Sequence, residues 1–181
     1  HHIVGQGGRV AIKRAFALRN TPLSEEELEP LYEAFITHYF DNIPGEAKVY
    51  EGLIECLDNL KADGFKLAVC TNKTEALTTP LLKRLKLDHY FSAVTCGDTF
   101  EWRKPDARHI TSTIELAGGD LKRSIMVGDS INDIAAAKNA GIPSVGVSFG
   151  YTDVPMAQLE PSVLIDHYQQ FTPELARKLI S

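Results

Sequence analysis

The chain has 181 residues, 44% hydrophobic and 24% charged, the balance of one globular α/β domain with room for a small appended subdomain. A net charge of -5 and a pI near 5.7, with no cluster of Lys and Arg, exclude a nucleic-acid binder held by phosphate contacts and favour a small-molecule partner. The apolar runs are only a few residues long, far short of a membrane span, and the opening HHIVGQGG lacks the order of a signal peptide, so a cytoplasmic setting is expected.

The first forty residues read as helical. Val10, Ala11, Arg14, Ala15 and Leu18 continue a helix after the Gly-rich opening. A second helix starts at Ser24, where Ser24 and Glu27 form a capping box, and carries Leu28, Leu31, Phe35 and Tyr39 on one face. The pair makes a helical hairpin. Asp41 to Gly45, with Pro44 and Gly45 together, breaks the pattern and divides residues 1–43 from residues 44–181.

From Tyr50 onward helices alternate with short apolar strands. A helix carrying Leu53, Leu57 and Leu60 ends at Gly64, and Leu67 to Cys70 follows as a continuous apolar strand of the kind covered on both faces. The cycle continues with a helix from about Thr74 to Lys86 and a strand around Ala93 to Thr95. A helix through Ile110 to Ala117 and the strand Ser124 to Val127 follow, then the helix Ile131 to Ala140 and the strand Ser144 to Val147. Such repetition implies a Rossmann-like parallel sheet with helices on both faces, whose ligands bind beyond the carboxyl ends of the strands. Cys56, Cys70 and Cys96 stand far apart with no CxxC pair, which predicts buried reduced thiols and neither a zinc site nor a disulfide framework.

Chemistry is therefore sought just after each strand. Thr71, Asn72 and Lys73 place a hydroxyl, an amide and an amine where a strand opens into a helix, a place suited to holding a phosphate oxygen; taken alone, Thr71 reads first as a helix N-cap. Lys104 precedes Pro105, which is suited to begin the next helix, so the lysine sits at a fixed point from which its ammonium can offset phosphate charge; a solvated loop lysine is the alternative. Gly128 permits a tight turn, Asp129 emerges at a strand tip, and Asp133 follows one helical turn later, so both carboxylates face one place. That pattern suits Mg2+, which takes a few carboxylates, waters and phosphate oxygens, and it outweighs a plain helix-dipole role because the pair stands in a third consecutive strand-to-helix turn.

The turns TNK at Thr71 to Lys73, KP at Lys104-Pro105 and GDSxxD from Gly128 to Asp133 occur in the order and at about the spacing of the haloacid dehalogenase superfamily. In detail the sequence resembles its phosphoglycolate phosphatase branch. The likeness extends to the stretch from Tyr50 through Val69, to Asp88-His89-Tyr90-Phe91, to Ala136 through Gly141, to Val145-Gly146-Val147 and to Gly150-Tyr151, which is nearly the whole chain.

The resemblance implies an α/β core at 44–181 with a partial helical cap at 1–43. It also implies Mg2+-dependent hydrolysis of a small phosphorylated metabolite, 2-phosphoglycolate first, through an aspartyl-phosphate. Thr71 would hydrogen-bond a phosphoryl oxygen, Asn72 would help position it, and Lys104 would neutralise charge, with Lys73 at the same substrate-binding turn. Asp129 would bind the metal, and Asp133 would be a second carboxylate, reached through water or paired with Lys104. In the cap, Gly5 to Arg9 would form a substrate-facing turn, where Gly8 and Arg9 meet an acidic substrate; a nonfunctional turn is the alternative, and the GxGxxG of a dinucleotide site is not satisfied.

The family begins with a strand ending in DxDx(T/V), whose first Asp attacks phosphorus and whose second protonates the leaving oxygen and then activates water. No Asp of this sequence stands in that motif. The expectation is an N-terminally incomplete chain, inactive alone, with a gap or a borrowed strand beside the ends of Val69 and Val127. Phosphosugar mutase and haloacid dehalogenase chemistry are alternatives on the same scaffold, and a noncatalytic pseudoenzyme or binding module is an alternative of another class. Nothing in the sequence specifies an oligomeric state.

Overall fold

A computed structural model describes residues 8–42, 48–150, 152 and 154–181. The chain divides into two compact units, His1–Ala47 and Lys48–Ser181. In the first, helices α1 (Gly8–Ala17) and α2 (Glu25–Asn42) form a hairpin. The capping box is present: the Ser24 N–H donates to Glu27 Oε2 at 2.9 Å and the Glu27 N–H to Ser24 Oγ at 3.3 Å, which holds the Glu27 carboxyl below its usual range. Leu28 is fully buried, whereas Leu31 and Phe35 are more than a third exposed. Leu18 does not continue α1. It is 80% exposed in a turn closed by Arg19 N–H to Phe16 O and Asn20 N–H to Ala17 O, with Asn20 at a φ of 56°. Gly5 to Gly7, the Tyr39 side chain and the Ile43 to Gly45 part of the expected boundary lie outside the described residues.

The second unit begins with α3 (Leu53–Ala62). A Schellman turn ends it, with Gly64 at a φ of 89° and the Phe65 N–H bonded back to Leu60 O. Then come β1 (Ala68–Cys70), α4 (Glu75–Arg84), β2 (Ala93–Thr95), α5 (Ala107–Leu116), β3 (Met126–Gly128), α6 (Ile131–Ala140) and β4 (Ser144–Val147). Two further elements, β5 (Val163–Ile165) and α7 (Pro173–Leu179), close the unit beyond the last strand read from the sequence.

All pairings are parallel, but they form two sheets. β1 pairs with β2, matching Val69 to Val94; β4 lies between β3 and β5, matching Val145 to Val127 and to Val163. Among the described residues β1 and β3 have no ladder partner on their other edges, so the sheet is interrupted between them. Helices nevertheless cover both faces. On one face Cys70 of β1 and Met126 of β3 pack in one cluster with Ile110, Ala136, Ala137 and Ile142. On the other, Leu67, Ile125 and Val127 pack with Cys56 and Leu60 of α3, Val145, Ile165 and Ala176. The two edges thus share neighbours above and below.

Burial follows the pairing. Every residue of β4, which has partners on both sides, is buried, as parallel strands usually are. Ala68 of β1 is instead exposed, while Val69, Cys70 and all three residues of β3 are only half-buried. β1 has the composition of a doubly covered strand but is less buried than β4, because one of its edges is open. No helix among the described residues is long and apolar enough to cross a membrane.

Candidate active site

The turn after β1 is joined to the loop after β2 by backbone bonds. Thr71 N–H donates to Thr95 O and Gly97 N–H to Lys73 O, each at 2.9 Å. A side chain at 97 has no room, since a Cβ there would lie 2.2 Å from Asn72 O. Thr71 does not cap α4: its Oγ1 accepts from the Lys73 N–H at 3.1 Å, while Thr74 is the N-cap and Asp98 accepts from the Glu75 N–H at 2.8 Å. The hydroxyl therefore closes the strand-end turn itself.

Pro105 is not the first residue of the next helix. Asp106 takes the cap by accepting from the Arg108 N–H at 2.9 Å, so α5 begins at Ala107 and the cis Lys104-Pro105 peptide lies just before it. The Arg108 side chain and its N–H together hold the Asp106 carboxyl down to about 2. Lys104 is not a solvated loop lysine either, being only 7% exposed. Its Nζ donates to Cys70 O at the tip of β1 and, at 2.6 Å, to Asp133 Oδ1 on α6.

At the tip of β3, Ser130 caps α6 in a second capping box, with Asp133 at the third helical position. Asp133 Oδ2 accepts from the Asp129 N–H at 3.2 Å, the Ser130 N–H at 3.0 Å and Ser130 Oγ at 2.7 Å, while Oδ1 accepts from Lys104. The two aspartates therefore have different work. Asp133 is committed to the helix cap and to Lys104, the second of the two roles anticipated for it, while Asp129 stands directly after β3. Two glycines make space for them: a Cβ at Gly128 would lie 2.4 Å from Asp133 Cβ, and one at Gly150 would lie 2.1 Å from Asp129 Cβ. Ser130 was legible from the same S-x-x-acid spacing as Ser24, whereas no local signal singles out Gly150.

Near this site several buried polar atoms have no hydrogen-bond partner among the described residues: Asn72 Oδ1, Trp102 Nε1 and both ring nitrogens of His109. His109 is fully buried and meets the Phe100 ring edge-on at 5.8 Å. Burial, and secondarily the charge of Lys104, push its pKa down to about 4 and keep the ring neutral. The three cysteines are unpaired thiols whose pKa values are raised by burial, Cys56 to about 11, so none has thiolate character.

Gly8 and Arg9 are engaged within their own hairpin. Gly8 opens α1 where a Cβ would come 2.9 Å from the Tyr32 ring, so its smallness lets the two helices approach. The Arg9 guanidinium donates twice to Glu29, at 2.9 Å each, and stacks 3.8 Å from the Tyr32 ring centre. Those contacts hold α1 against α2.

The pattern of the haloacid dehalogenase-like hydrolase family matches residues 2–147. The chain is 65% identical over 180 residues to a phosphoglycolate phosphatase of Agrobacterium fabrum, covering 99% of this chain and 77% of that protein. It is 50% identical to one of Mesorhizobium japonicum, covering 98% and 78% respectively. A crystal structure of a predicted phosphoglycolate phosphatase from Haemophilus somnus superposes with a TM-score of 0.84 at 31% identity, over 92% of this chain and 76% of that one. With its parallel α/β core and the three strand-end turns in family order, the chain belongs to the haloacid dehalogenase-like hydrolases and is a phosphatase of the phosphoglycolate phosphatase-like group.

Proposed function

We propose that the protein hydrolyses a small phosphate monoester, 2-phosphoglycolate first, through an aspartyl-phosphate and with Mg2+. The observation that carries this reading is the buried Lys104 ammonium, set between the tips of β1 and β3 and anchored by Asp133. Phosphoryl transfer asks for charge stabilisation and in-line positioning more than for strong acid. Thr71 Oγ1 accepts from the Lys73 N–H, so its own O–H is left to donate to a phosphoryl oxygen, with Asn72 and Lys73 completing the turn. Lys104 supplies positive charge to the attacking carboxylate and to the transferring group.

Asp129 offers a hard carboxylate at a strand tip, and the absence of a side chain at Gly150 leaves that carboxylate room, which fits Mg2+ with waters and phosphate oxygens as its other ligands. When bound, the ion would neutralise negative charge on the phosphoryl oxygens. Asp133 serves it indirectly by accepting the Asp129 N–H and so fixing the strand tip.

The attacking aspartate belongs, in this reading, to a strand between β1 and β3 outside these 181 residues. The interrupted sheet, the incomplete burial of β1 and β3 and the apolar clusters shared across the interval support it. Residues 1–43 act as a partial cap whose hairpin is held by Gly8 and Arg9. Three free thiols fit a cytoplasmic setting.

Phosphate release from 2-phosphoglycolate by the full-length protein is expected to require Mg2+, and Asp129→Ala to lower turnover about a hundredfold. Undiminished turnover by that variant would remove the metal assignment. Turnover by a species whose intact mass is 20.0 kDa would remove the additional strand. Gly150→Ala must displace the Asp129 side chain, so calorimetric titration should show Mg2+ affinity lower by about tenfold. An unchanged titration would mean that Gly150 plays no part in the site.

A further inference from the structure

The turn bearing Lys104 has two consecutive carbonyls, of Lys104 and Pro105, that lie outside the strands and before α5; the carbonyl of the buried Lys104 needs a donor, and that of the exposed Pro105 takes one as well. Side-chain amides from two other elements supply them. Asn72 Nδ2 donates to Lys104 O at 2.7 Å, and Asn139 on α6 donates through Nδ2 to Pro105 O at 2.9 Å. A carbonyl only accepts, so the Asn72 amide must present its nitrogen to Lys104, which leaves Oδ1 as the buried atom without a partner. Asn72 is itself held by the backbone bonds of Thr71 and Lys73 and by the close approach of Gly97. Asn139 stands on the helix that also presents Asp133 to Lys104 Nζ.

Lys104 is thus gripped at both ends, its ammonium by Asp133 and Cys70 O and its backbone by Asn72, with Asn139 holding the next residue. A lysine has a long flexible stem, and a misplacement of about 1 Å at a reacting centre costs on the order of a hundredfold in rate. We infer that Asn72 and Asn139 are positioning residues that clamp the Lys104-Pro105 backbone and thereby set Lys104 Nζ. The Asn72 side chain then acts through the lysine, its amide nitrogen being given to Lys104 O. Only the consequence for phosphate rests on the phosphatase reading; the clamp itself rests on the two hydrogen bonds.

The test uses the full chain with lysine labelled at 13Cε and two readouts, the Lys104 Cε–H resonance, assigned by Lys104→Met, and the affinity for inorganic phosphate. Asn72→Ala should shift and broaden the Lys104 resonance and weaken phosphate binding about tenfold, and Asn139→Ala should do the same to a lesser degree, about twofold. Lys104→Met should also weaken binding, and adding Asn72→Ala to it should cost nothing more. Losses that multiply in the double variant would show Asn72 touching phosphate independently and overturn the proposal, as would an unmoved Lys104 resonance in Asn72→Ala. If the wild-type chain binds no phosphate while the resonance still moves, the phosphate reading fails and the clamp stands. Should Asn72→Ala not fold, Asn72→Ser, whose hydroxyl is a shorter donor, takes its place, with an intermediate shift expected and an unmoved resonance counting against the clamp.

Discussion

Asp133→Ala is expected to lower the unfolding free energy by about 3–5 kcal/mol, the usual consequence of breaking a buried ion pair from one side. The side chains of Lys104 and Asp133 are 6% and 9% exposed, so removing the carboxylate leaves an ammonium inside the protein with Cys70 O as its remaining hydrogen-bond acceptor. The same change strips the Asp129 N–H, the Ser130 N–H and Ser130 Oγ of their acceptor and dissolves the capping box of α6. For a chain of this size each kcal/mol moves the midpoint by roughly 2–4 °C, so calorimetry should show Tm lower by about 6–20 °C. Asp133→Leu combined with Lys104→Met should be less damaging than Asp133→Ala, because no unpaired charge is left behind. A Tm for Asp133→Ala within about 2 °C of the wild type would show that the pair does not anchor the fold.

Acid should destabilise the protein well before its carboxylates titrate, and His109 is the cause. Its folded pKa is pushed down to about 4, against 6.5 for the unperturbed ring. Above pH 6.5 the imidazole is neutral in both states and its full contribution to stability is present. As pH falls from 6.5 toward 4 the unfolded chain takes up a proton that the folded one refuses. Stability drops by about 1.4 kcal/mol per pH unit across that window, roughly 3 kcal/mol in all. His109→Phe, of similar volume in the same apolar surroundings, should flatten this segment of the profile. Urea unfolding at pH 7 and pH 4.5 measures the effect, and equal slopes in the two proteins would refute it. Asp106, held down to about 2, loses its contribution only at lower pH and does not confuse the comparison.

Much of the second unit was legible because its signals are local. The period of α6 and the apolar runs of β2 and β4 delimit those elements at the residues expected, and the turns at Thr71 and Asp129 follow strand tips directly as parallel topology requires, while Lys104-Pro105 stands well past β2, just before α5. β5 escaped because the chain reaches it without the helix that normally separates parallel strands, and α7 follows it. Among the described residues only a short 3-10 turn, Met156–Leu159, stands between β4 and β5. The Pro105 helix start failed because Asp106 is the stronger cap, a competition between neighbours that the proline alone does not reveal.

By itself the sequence determined the alternation of helix and strand and the assembly of Thr71, Lys104 and Asp129 at one end of the sheet, since periodicity and turn chemistry act over a few residues. Only the tertiary structure decided what each polar atom bonds. It made Asp133 an anchor for Lys104, turned the Asn72 amide to the backbone of that lysine, drew Arg9 to Glu29 and set Gly150 against Asp129. Hydrogen bonds and ion pairs require contact within about 3 Å. The partners of Lys104 lie 29 and 32 residues from it in the chain, a separation that only folding closes.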